Sequence, residues 1–129
     1  MEPPRIQEEL AKMTEWQYAV LFTQSAEVIA ANFEVDPGEL VPYLTAYDSR
    51  DATIGPGFIL NREHFDVHRF HPPLIYGRRG GPDDGAGIAI CRGVLENGNF
   101  LYALITYELP ILSARAVPQL IEFVKSVGA

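Results

Sequence analysis

The sequence predicts an α+β fold: a central antiparallel sheet of about six to seven strands, covered by helices from both chain ends and by a short internal helix. Three observations predict it. The elements run in the order helix, two strands, helix, five strands, helix. Consecutive strands with short connections pair antiparallel, because a parallel crossover needs a longer connection. The first and last helices are amphipathic and need apolar surface to cover, which a sheet face provides. At 129 residues the chain has the length of one domain, spanning 1–129.

The first helix is predicted at about 4–13. Pro3 and Pro4 suit a helix start but not its interior, and Ile6, Leu10 and Met13 recur at helical spacing. The runs Trp16–Thr23 and Glu27–Asn32 are rich in β-formers and read as a hairpin. A second helix is expected from 37 to about 46. Asp36 would cap it, Pro37 stands at its first position, and Glu39 at the third completes a capping box. Pro42 removes a hydrogen bond in mid-helix at about 3 kcal/mol, so a kinked or partly 3₁₀ element is expected.

From Gly57 the pattern becomes short β segments at 57–61, 64–70, 74–78, 87–95 and 99–108. Asn97-Gly98 predicts a type I′ hairpin turn, since both residues tolerate positive φ. Gly80–Gly85 marks a longer turn, where the paired acids Asp83 and Asp84 are expected to be solvated. The final helix is expected from a Ser113 cap to about Val127, with Leu120, Ile121, Val124 and Val127 as its apolar stripe.

Composition narrows the function classes. Hydrophobic residues make up 47% and charged residues 21%, which is the balance of a packed globular chain and not of a disordered one. The formal charge of -7 has the wrong sign for a nucleic-acid binder, so no nucleic-acid partner is expected. The N-terminus lacks the basic start and apolar core of a secretory signal, and no run is long enough to span a bilayer. With Cys91 as the one cysteine, this points to a reducing, cytoplasmic location. Cys91 lies in an apolar run and reads as a buried core thiol.

Sites with chemistry are scarce. His64, His68 and His71 fall within eight residues, but on a strand His64 and His68 lie roughly 13 Å apart at about 3.3 Å per residue and His71 faces the other way. A histidine-metal hydrolase is the weakest of the alternatives. Gly77-Arg78-Arg79-Gly80-Gly81 lacks the Gly-Lys-Ser/Thr of a phosphate loop, and no serine sits in a Gly-x-Ser-x-Gly elbow. No catalytic residue, no metal and no cofactor is expected, and the chain reads as a non-enzyme. Charge patterning says more. Residues 1–56 carry ten acids against three bases, whereas 57–92 carry five arginines against four acids. The middle strands thus combine arginine with aromatic groups, the chemistry of a protein interface.

Several local patterns, in their order and spacing, resemble the profilin family across essentially the whole chain. They are Asn32-Phe33 followed by Val35-Asp36-Pro37-Gly38-Glu39-Leu40; Gly57-Phe58-Ile59-Leu60 leading to Phe65-Asp66-Val67-His68-Arg69; and Leu74-Ile75-Tyr76-Gly77-Arg78-Arg79-Gly80. Ala103-Leu104-Ile105-Thr106-Tyr107 and the ending Glu122–Ala129 continue the match. The resemblance implies terminal helices packed together on one sheet face, and an actin-monomer-binding protein that regulates polymerisation and nucleotide exchange in the cytoplasm, with the cytoskeleton. It implies actin contacts at Val67, His68 and Arg69 on one strand, Tyr76 and Arg78 on the next, and Arg115 and Gln119 on the last helix. Tyr76 stands where many profilins carry arginine.

Profilins also bind proline-rich partners such as formins, through aromatic rings on the terminal helices and second strand. Here the first helix has no aromatic residue and the chain ends in Ala129 where tyrosine is usual. Polyproline binding is therefore expected to be weak or absent, with Trp16, Tyr18, Ile29 and Phe123 the remaining candidates, Trp16 and Tyr18 as a substitute platform. Phosphoinositide binding would fall to Arg78 and Arg79, against the net charge. The chain is expected to be monomeric and to act on monomeric actin, including by sequestering it. The competing module is a longin-like or roadblock-like trafficking domain, which also packs helices on an antiparallel sheet.

Overall fold

The computed structural model describes residues 2–80 and 85–128. The expected turn at Gly80–Gly85, with Asp83 and Asp84, lies largely outside the described residues, as does Ala129. The elements are α1 (Pro3–Ala11), β1 (Tyr18–Thr23), β2 (Val28–Ala31), α2 (Pro37–Leu44), α3 (Arg50–Ile54), β3 (Phe58–Leu60), β4 (Glu63–His71), β5 (Leu74–Arg79), β6 (Ala86–Val94), β7 (Phe100–Glu108) and α4 (Ser113–Ser126). The strands form one antiparallel sheet in the order β2-β1-β7-β6-β5-β4-β3.

Strand alternation builds two cores from one sheet. Along β7, Leu101, Ala103, Ile105 and Tyr107 face a cluster shared with Ile6 and Leu10 of α1 and Ala116, Leu120, Phe123 and Val124 of α4. Phe100, Tyr102 and Leu104 face the opposite cluster, with Leu40 and Tyr43 of α2 and Phe65 and Val67 of β4. The terminal helices therefore share one face, and the short internal helices cover the other. Cys91 is buried in the first cluster.

Several local expectations are corrected. Residues 50–54 form α3, which was not anticipated; Ser49 caps it by accepting a hydrogen bond from Ala52 N at 3.2 Å. At α2 the Asp36 side chain accepts from Gly38 N at 2.9 Å, but Glu39 does not complete a capping box. Its carboxylate instead accepts from the backbone N–H groups of Asn61 and Arg62, at 2.8 and 2.9 Å. Pro42 is accommodated inside a short α-helix. The N-cap of α4 is Leu112, without a side-chain cap bond, so Ser113 is its first helical residue.

The expected type I′ turn at 97–98 is also replaced. Only Gly98 there has positive φ, +85°. Gly98 N donates to Leu95 O and Leu95 N to Asn99 O, both at 2.9 Å, giving a three-residue loop with glycine in the left-handed position. The two-residue turn with positive φ at both positions is Asn61-Arg62, at +51° and +68° between paired Leu60 and Glu63. The Glu39 carboxylate holds it.

Candidate functional site

The arginine-rich strands are shaped by an irregularity. The register of β4 against β5 runs Asp66↔Arg78 and Val67↔Gly77, then shifts so that Arg69 opposes Tyr76 and Phe70 opposes Ile75. His68 is the additional residue of a β-bulge. Without it, alternation would turn Arg69 toward the α2–α3 core. With it, His68 and Arg69 are both exposed and line the same depression, while Phe70 packs with Val67 toward the core. Gly77 permits the close approach, because a Cβ there would lie 1.7 Å from Asp66 O.

The depression, about 560 Å³, is lined by His68, Arg69, Tyr76, Gly77, Arg78 and Ser113. It joins β4, β5 and the start of α4 on the face that carries the terminal helices. Tyr76 is half-buried against that core and lines the depression together with Arg69 and Arg78.

The structure brings together some of the expected contacts and separates others. Val67 is 3% exposed and belongs to the α2–α3 core, so it is corrected from a surface contact to a packing residue. Arg115 Nε donates to Glu15 Oε1 at 2.7 Å, and Gln119 Nε2 donates to the same oxygen at 3.0 Å. These hydrogen bonds, Arg115 first, hold the Glu15 carboxyl below its ordinary range. Both residues brace α4 against the segment that leads into β1. Ser113, read from sequence as a cap, lines the depression instead; the signal for it was its place at the start of the last helix.

Arg78 and Arg79 do not share a site. Arg78 lines the depression, whereas Arg79 points to the opposite face, where its Nη2 lies 3.1 Å from Glu63 Oε2 and its guanidinium sits 5.5 Å from the Phe65 ring centroid. The expectation of a joint phosphoinositide site on these two residues is corrected accordingly.

Trp16 and Tyr18 do not form a platform. Trp16 is 4% exposed and packs edge-on against Phe123, with centroids 5.4 Å apart, in the terminal-helix core. Tyr18 lies on the other sheet face, 5.0 Å from the Phe33 ring. Ile29 is half-buried beside the first core. Between α1 and α4 a shallow groove is lined by Met13, Pro118 and Phe123 with Glu9, Lys12 and Glu122 at its sides. Phe123 is the one expected aromatic that borders it.

His64 Nε2 lies 2.7 Å from Pro56 O, outside the depression that His68 lines. Among the described residues, no three His, Cys, Asp or Glu side chains stand together as a metal site would require.

A seven-stranded antiparallel sheet with both chain-end helices on one face and short helices on the other defines the profilin fold. Acanthamoeba castellanii profilin IA superimposes with a TM-score of 0.76 at 16% identity, covering 97% of this chain and 94% of that one. Schizosaccharomyces pombe profilin gives 0.74 at 18% identity, covering 100% of both chains. LokiProfilin1, solved in a complex with rabbit actin, gives 0.72 at 8% identity, covering 97% and 93%. No protein-family model and no curated protein matches the sequence. The likeness is thus one of fold.

Proposed function

We propose that residues 1–129 act as a single, non-enzymatic profilin-like domain that binds monomeric actin, in the cytoplasm and with the cytoskeleton. The observation that carries this reading is the depression at His68, Arg69, Tyr76 and Arg78, a basic and aromatic surface on an otherwise acidic chain. The profilin fold supports it, as does the complex of LokiProfilin1 with rabbit actin. The adjacency of α1 and α4 in one core favours it over a longin-like or roadblock-like arrangement.

The mechanism is differential binding. A protein that holds the open-cleft state of actin more tightly than the closed state shifts that population and lets nucleotide leave. The bound monomer is withheld from free assembly. Polyproline binding is weak or absent, because Trp16 is enclosed and Tyr18 lies on the other face.

Titration with monomeric actin and with a polyproline peptide in parallel tests both parts. Nucleotide exchange and assembly should change with actin, and the peptide should bind weakly or not at all. No effect on either actin readout at high micromolar concentration would sink the reading. Arg69→Glu should weaken actin binding by about tenfold or more, through reversal of an interface charge. Glu9→Lys on α1 should leave it near wild type; equal losses would reject this surface.

A further inference from the structure

The sheet ends on β2 at one side and β3 at the other, and a helix side chain reaches over each edge. At β3, a strand of three residues, the Tyr43 hydroxyl donates to Ile59 O at 2.6 Å. At β2 the closure is more complete. Gln7 of α1 donates from Nε2 to Ala31 O at 2.9 Å, and its Oε1 accepts from Ala31 N at 3.1 Å. The side-chain amide thus makes both of the bonds that a neighbouring strand would make to that residue.

Register explains why those backbone groups face outward. Asn32 N donates to Ala19 O at 3.0 Å, so alternation turns the N–H and C=O of Ala31 away from β1. Sheet edges are commonly blunted by charged residues, proline or a bulge. β2, Val28-Ile29-Ala30-Ala31, contains no charged residue and no proline, and Val28 is 37% exposed. Its one irregularity is a register shift at Ile29, which leaves Ala31 in regular pairing. Protection at Ala31 therefore falls to Gln7.

The element that carries Gln7 is lightly held. α1 has nine residues, of which Ile6 and Leu10 are buried, and its N-cap residue Glu2 makes no side-chain cap bond among the described residues. A helix of that length does not persist in water by itself, so it is held by docking, through Ile6, Leu10 and the Gln7 amide. Local opening of α1 uncovers the edge of β2.

We infer that Gln7 is an edge guard that keeps the chain monomeric, and that β2 without it is a strand-addition surface for a second copy of this chain. Composition selects the occupant. Antiparallel pairing about a two-fold axis lays the uncharged β2 against itself and sets Glu27, at its start, against the uncharged end at 31–33 of the second copy. No carboxylate then faces its own counterpart. The inference is independent of actin binding.

Gln7 is exposed, so Gln7→Ala opens no cavity and places a good helix former in α1. Sedimentation velocity should show wild-type protein as a monomer throughout a concentration series, and Gln7→Ala passing to a dimer as concentration rises. Hydrogen exchange at the Ala31 amide locates the contact. In dilute Gln7→Ala it should be about tenfold or more faster than in wild type, and it should slow again at concentrations where the dimer forms. Val28→Lys on that background charges the edge and should restore the monomer. Gln7→Ser, too short to reach Ala31, is the second variant and should behave as Gln7→Ala does. Variants that stay monomeric at every concentration would overturn the inference. Self-association that leaves the Ala31 amide exchanging fast would overturn it as well, because the contact would then lie elsewhere.

Discussion

Gly77 illustrates how one residue sets the shape of the binding face. Its missing Cβ lets β4 approach at Asp66, next to the bulge that turns Arg69 outward. Gly77→Ala should destabilise the protein by more than about 3 kcal/mol, because the clash is with backbone that no rotamer change can relieve. Urea denaturation would measure this; a loss under about 1 kcal/mol would mean that the strands separate easily there. The sequence displayed Gly77 plainly, but only as part of a glycine-arginine run. Its need became apparent from the distance to Asp66 O, which depends on strand pairing.

At the scale of elements, α2 and the β3–β4 turn depend on one carboxylate. Glu39 was legible as a helix-start acid, and its position at the start of α2 agrees with that reading. Its hydrogen bonds go 22 and 23 residues along the chain, to Asn61 and Arg62. Glu39→Ala should therefore destabilise the protein by about 1–3 kcal/mol, since two charge-assisted hydrogen bonds are lost at a strained turn. Arg62→Gly should recover part of the loss, because glycine adopts positive φ without strain. Thermal melts of the single and double variants check this, and absence of rescue would show that turn strain is not the cause. Most helices and strands were legible from periodicity and turn residues. α3 was not, because five residues are too few for a periodic signal.

At the scale of the whole molecule, the two-sided core buries groups that ionise only at high pH. Burial raises the Cys91 thiol from 9.0 to about 11 and the Tyr107 phenol from 10.0 to about 12, and pushes Tyr43 and Tyr47 up as well. Above pH 9 the unfolded chain loses protons that the native state retains, so it binds fewer protons and stability falls as pH rises. The decline begins near the ordinary thiol value and continues through about 11 to 12. The urea midpoint should be lower at pH 10 than at pH 8; equal midpoints would show that these groups are hydrated in the native state.

The sequence by itself determined the α+β class, the antiparallel pairing of consecutive strands joined by short connections, and the concentration of arginine on the middle strands. Each follows from local pattern: spacing, turn chemistry and charge. Tertiary structure alone decided which of those side chains meet. A single bulge reverses the phase of β4 and puts Arg69 with Arg78, while regular alternation sends Arg79 to Glu63 on the opposite face. Trp16 precedes β1 and packs into the terminal-helix core, whereas Tyr18, the first residue of β1, packs on the opposite face. Which face a residue occupies is set by long-range register, and residue types alone do not carry that information.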